Sequence, residues 1–91
     1  INMKQEIKIQ LIQYTDETQD EICALLLRNG FDVRIRERDG LRAILWQCQK
    51  DMFDNRIVYM GEWLMNKAND SLYFYVLSES ELADLIISSQ Q

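Results

Sequence analysis

The sequence predicts a small α+β domain: an antiparallel sheet of about five strands with two helices on one face, in the order β-α-β-β-β-β-α. Three observations predict it. Short runs such as QEIKIQLIQ and SLYFYVL alternate apolar and polar residues, the period of a strand. Two other runs carry apolar residues at three- and four-residue spacing and are punctuated by helix-start or helix-stop residues. Between two alternating runs stands Asp39-Gly40, a pair suited to a two-residue hairpin turn.

Residues 5–13 form the first strand, with Ile7, Ile9 and Leu11 on the expected buried face and Ile12 and Tyr14 on the opposite one. Thr15 or Asp16 then serves as an N-cap. Glu17, Asp20 and Glu21 fill the first turns, and Ile22, Leu25 and Leu26 make an apolar stripe at positions i, i+3 and i+4. That helix stops at Asn29 and Gly30, where glycine takes the left-handed conformation of a C-terminal cap.

The hairpin follows, and its register is predictable. A two-residue type I′ turn at Asp39-Gly40 sets Arg38 opposite Leu41, Ile35 opposite Ile44, Val33 opposite Trp46 and Phe31 opposite Cys48. A three-residue loop would instead bring Arg36 against Arg42, a like-charge clash. One face is then Phe31, Val33, Ile35, Ile44, Trp46 and Cys48, closed at its tip by Glu37 and Arg42. The other holds Asp32, Arg34, Arg36 and Arg38 beside Leu41, Ala43, Leu45 and Gln47.

Residues 50–56 are mostly polar and read as a connection. RIVYM begins another strand, with Gly61 marking a bulge or a break, and residues 62–66 continue it toward a turn at 66–70 rather than forming a short helix. SLYFYVL is the last strand, with Leu72, Phe74 and Val76 on one face and Tyr73 and Tyr75 on the other. The final helix opens with LSESEL, which reads as a capping box of Ser78 and Glu81 with Leu77 and Leu82 as a hydrophobic staple. Leu82, Leu85 and Ile86 supply its buried stripe.

Ninety-one residues, 47% hydrophobic and 27% charged, suit one globular domain over residues 1–91 rather than a disordered chain. The net charge of -5 works against wholesale attraction to nucleic acid or anionic membranes. No run approaches the ~18 apolar residues of a membrane span, and the polar opening INMKQEIK lacks the apolar stretch of a signal peptide. Cys23 and Cys48 have neither CxxC spacing nor the numbers of a disulfide framework, so they read as reduced, mostly buried thiols of a cytoplasmic protein. Met3 could be the natural start, with Ile1 and Asn2 ahead of it.

Catalysis finds little footing. Histidine is absent, which removes the commonest general base and metal ligand. Glu79 and Glu81 are accounted for by helix capping, and Asp51 and Asp54 by a solvated loop. The three glycines, 30, 40 and 61, are too scattered to cradle a phosphate, and no RNP-like motif accompanies the tyrosines. The expectation is a non-enzymatic protein with no cofactor and no metal.

What remains is the sheet's second face. Helices on one side leave Ile12, Leu41, Ala43, Leu45, Tyr73 and Tyr75 on the other, beside Arg34, Arg36 and Arg38. Arginine stems folding over the aliphatic row would make this an ordinary solvated face. Its wealth of Arg and Tyr also matches the centre of a protein interface, and the expected function is an adaptor, regulator or accessory subunit that binds a protein partner or forms a homodimer. The alternative is an acidic inhibitor, of the immunity or phage counter-defence type, that sets Asp16, Glu17, Asp20 and Glu21 against a basic target. Acids at a helix start also offset the macrodipole without any partner.

Overall fold

In a computed structural model, which describes residues 9–67 and 74–89 with the side chains of 51–54, 67 and 89 left aside, the chain is an α+β protein. The described residues form β1 (Ile9–Gln13), α1 (Gln19–Arg28), β2 (Phe31–Arg38), β3 (Leu41–Cys48), β4 (Asp51–Tyr59), β5 (Trp63–Lys67), β6 (Phe74–Leu77) and α2 (Glu79–Ser89). The expected class and both helices are present. The strands, however, number six and divide into two antiparallel three-stranded sheets, ordered β1-β5-β6 and β2-β3-β4.

Gly61 is where the sheets part. At φ 96° it takes a left-handed turn that an L side chain would strain. The turn is closed by the Glu62 N–H to the Tyr59 carbonyl at 2.9 Å and by the Tyr59 N–H to the Glu62 carboxylate at 2.8 Å. The expected long strand through this glycine is therefore broken in two, β4 pairing with β3 and β5 with β1. The strand reading holds for residues 63–66, Glu62 belonging to the turn; Asn66 and Lys67, expected to open the next turn, are still strand, and 68–70 lie outside the described residues, as do Ile7, Leu72 and Tyr73.

Residues 50–56 are not a connection. A tight turn at Gln49-Lys50 folds the chain straight back, and β4 begins at Asp51, with a register irregularity between Gln47 and Cys48. Among the described residues β4 is an edge strand held on one side, so Asn55 and Arg56 stay exposed without leaving the ladder.

The hairpin adopts the expected register throughout, from Phe31 opposite Cys48 to Arg38 opposite Leu41. Asp39 (φ 54°) and Gly40 (φ 77°) supply the two positive angles of a type I′ turn. At α1 the C-terminal cap also stands, with the Asn29 side chain donating to the Leu25 carbonyl at 2.7 Å and Gly30 at φ 87°. Its N-cap is Thr18 rather than Thr15 or Asp16. The Thr18 hydroxyl is engaged outside the helix: it donates to the Gln13 carbonyl and accepts the Thr15 N–H at 2.9 Å, tying down a turn that delays the helix start.

The core draws on both sheets and α1. Tyr14, Ile22, Leu26, Ile44, Val58 and Leu64 are almost wholly buried, with Phe31, Trp46 and Phe74 around them. The rings of Phe31 and Phe74 meet edge to face at 5.6 Å. β1 is inverted relative to expectation: Ile12 packs against the core and Tyr14 is buried, whereas Ile9 and Leu11 are 52% and 41% exposed. α2 lies on that outer side, its Leu82, Leu85 and Ile86 lining a groove with Ile9, Leu11 and Met65. The two helices thus do not share one face, because an apolar set on each side of β1 calls for cover on each side.

Candidate functional site

The ladder registers build the outer face of β2-β3-β4 row by row. Arg34, Leu45 and Ile57 form one row; Arg36, Ala43 and Tyr59 the next; Asp32, Gln47 and Asn55 a third. Arg38 and Leu41 complete it beside the turn. Ala43 is buried between two much larger neighbours, Arg36 and Tyr59, while Leu45 is half-buried. The exposed arginines thus flank a short, less exposed apolar floor of Ala43, Leu45 and Ile57. An open hollow of about 340 Å³ lies among Arg36, Arg38, Ala43, Leu45 and Ile57, and a second of about 100 Å³ among Asp32, Arg34, Leu45 and Gln47.

Of the residues expected to bind a partner, Arg34, Arg36, Arg38, Leu41 and Leu45 do come together on this face. Tyr75 does not: it sits on β6, in the other sheet, opposite Met65. Tyr73 lies outside the described residues. Ile12, placed on the same outer side by its period, belongs to the core. The residues missed are Ile57, Tyr59 and Asn55 of β4. The alternation in RIVYM carries Ile57 and Tyr59 on one parity, but a tight turn at 49–50 alone would pair Leu45 with Asp54 and Ala43 with Arg56; the irregularity between Gln47 and Cys48 shifts the ladder by three residues and brings Ile57 and Tyr59 beside Leu45 and Ala43.

The acidic group is less unified than the sequence implied. Asp16 and Glu17 lie in the turn before α1, while Asp20 and Glu21 occupy its first turn, and all four are exposed. Arg42 from β3 reaches Asp16 at 2.8 Å and Gln19 at 3.4 Å, and the Tyr14 hydroxyl donates to Gln19 at 2.7 Å. Among the described residues, one carboxylate of the four is therefore partnered. Burial pushes the Tyr14 phenol up, against the opposing pull of Arg42.

Cys23 and Cys48 are free and half-buried at the margin of the core. Burial raises the Cys23 thiol above its ordinary value, with Asp20 adding to the shift, so little of it is thiolate at neutral pH. Among the described residues no three acidic or thiol side chains are grouped to hold a metal ion. Among the same residues no helix is long and apolar enough to cross a membrane. The second exposed feature is the apolar groove of about 310 Å³ between α2 and the outer side of β1 and β5. Compared with known protein families, curated proteins and solved structures, the chain matches none.

Proposed function

We propose that this protein is a cytoplasmic, non-enzymatic interaction domain, an adaptor, regulator or accessory subunit, that receives a protein partner on the outer face of β2-β3-β4. One observation carries the reading: three exposed arginines stand in line beside an apolar floor of Ala43, Leu45 and Ile57, on a face whose hollows lie open. Such a surface offers charge for orientation and apolar area for affinity, the usual division of labour in a protein interface. The half-buried, unbridged thiols support a reducing compartment.

Two sets of substitutions test the placement against the acidic-inhibitor alternative. Arg34→Glu with Arg36→Glu reverses the candidate face, and Asp16→Asn, Glu17→Gln, Asp20→Asn and Glu21→Gln neutralise the helix-start acids. The expected result, read by affinity capture against native lysate, is loss of the wild-type partner with the first set and retention with the second. The opposite result transfers the function to the acidic group, and retention by both removes both placements. Light scattering on the same proteins decides whether the partner is a second copy.

A further inference from the structure

Among the described residues, the ladder geometry of the hairpin leaves a specific row of backbone groups unused. In a two-residue hairpin the residues flanking the turn exchange both hydrogen bonds, and such pairs alternate with unbonded ones along the strands. Arg38–Leu41, Arg36–Ala43 and Arg34–Leu45 are the bonded pairs of this register, so Glu37, Ile35 and Val33 aim their N–H and C=O groups away from β3. The parity is checked on the other strand: the Arg42 carbonyl, opposite Glu37, points to β4 and accepts the Met60 N–H at 3.0 Å. Among the described residues β2 is an edge strand, and residues 34–38 are all exposed.

We propose that β2 binds an extended acidic segment of a protein partner as an added antiparallel strand, in which acidic and apolar side chains alternate. The inference rests on the docking-face reading above and specifies what docks there. An added strand would take its backbone hydrogen bonds from Val33, Ile35 and Glu37. Its residues opposite Arg34, Arg36 and Arg38 fall on the outer face in unbonded pairs, whose Cα atoms approach to about 4.5 Å. Those positions call for carboxylates, spaced about 6.7 Å apart by the strand repeat to match the arginine row. The residues between fall on the inner face beside Val33, which is half-buried, and Ile35, which is 43% exposed although its register partner Ile44 is fully buried. Those positions call for apolar side chains. Strand addition of this kind draws affinity from the main chain and specificity from alternate side chains.

The same geometry argues against a second copy on this edge, since a two-fold pairing of β2 with itself that engages the arginine row, centred anywhere from Arg34 to Glu37, sets arginine opposite arginine. It also separates the proposal from a simpler role, in which the arginines only keep a bare edge from pairing with anything.

The test uses the full chain, labelled for amide exchange, and a synthetic peptide of alternating glutamate and valine. A control peptide holds the same residues in two blocks. The expected result is slower exchange at Val33, Ile35 and Glu37 with the alternating peptide, and unchanged exchange at Arg34 and Arg36, whose amides β3 already holds. Arg34→Glu with Arg36→Glu should weaken that peptide about tenfold or more and confer binding of a lysine–valine counterpart. Equal binding of the block peptide, absence of protection at the three amides, or displacement by a single-stranded oligonucleotide would overturn strand addition. If lysate capture still depends on the arginines in that event, the docking face stands and only its strand mode falls. If the peptide protects the edge while native capture ignores the arginines, the docking-face reading is the one that fails.

Discussion

Ser78 and Glu81 show how much a few side chains settle at the start of a helix. The Glu81 N–H donates to the Ser78 hydroxyl at 3.2 Å, and the Ser78 N–H donates to the Glu81 carboxylate at 3.1 Å. Two backbone donors that a helix start leaves unpaired are thereby satisfied. The bond from the Ser78 N–H, with a further contribution from the Ser78 side chain, favours the ionised carboxylate and holds Glu81 below the ordinary glutamate range. A carboxylate depressed on folding stabilises fully above its unfolded value, near pH ~4.3, and loses that contribution as the pH falls through its lower folded value. Helicity of α2 should therefore decline on acidification in that window, and Glu81→Gln should flatten the decline. Ser78→Ala should cost about 1 kcal/mol at neutral pH, measured by urea denaturation. Both bonds were legible in the sequence because they join residues three apart. The Thr18 cap was not, because its hydroxyl is drawn to Gln13, a contact that forms only once β1 is in place.

At the scale of elements, legibility followed the range of the interaction that decides each one. The hairpin register was readable because turn chemistry and a like-charge clash both act within a few residues. β1 was misread because Ile9 and Leu11 on one side and Ile12 and Tyr14 on the other are all apolar, and a period of two cannot say which set meets the main core. The answer depends on α2, more than sixty residues away in the chain. That helix carries its own contrast: Leu82 is 9% exposed, whereas Leu85 and Ile86, on the same apolar stripe, are 45% and 48% exposed. α2 thus seats its first turn and leaves the rest of the stripe at the open groove. Leu82→Ala should destabilise the protein by about 2 to 4 kcal/mol, within the range for a buried leucine, and Leu85→Ala by about 1 kcal/mol or less. Equal losses at the two positions, in the same denaturation assay, would mean that α2 is anchored along its whole length. The candidate face divides likewise: Arg34, Arg36, Arg38, Leu41 and Leu45 follow from one local register, while Ile57 and Tyr59 required knowing both that β4 folds back onto β3 and that the ladder shifts between Gln47 and Cys48.

At the scale of the whole molecule, the division into two sheets raises the question of whether they are one cooperative unit. The contacts predict that they are. Ile44, Trp46 and Val58 of one sheet and Leu64 and Phe74 of the other belong to a single core with Ile22 and Leu26 of α1. Polar links cross as well: Arg56 of β4 donates to the Phe74 carbonyl of β6 at 3.3 Å, and Arg42 of β3 meets Gln19, which also holds the Tyr14 hydroxyl beyond β1. No such bridging was readable from the sequence, since strand alternation assigns faces without assigning sheets. The chain supplies its own reporters, for its two tryptophans fall one in each sheet, Trp46 on β3 and Trp63 on β5. With Trp46→Phe the fluorescence follows the first sheet, and with Trp63→Phe it follows the second. Each substitution shifts its own midpoint, so the comparison is made within each variant, between tryptophan fluorescence and far-ultraviolet circular dichroism over the whole chain. A single unit gives coincident curves in both variants. Leu64→Ala, which empties a fully buried site in the sheet of Trp63, should then lower the transition seen by Trp46 in the other sheet by about 2 to 5 kcal/mol. If Trp46 does not sense that cavity, the sheets unfold separately and the shared core does not couple them.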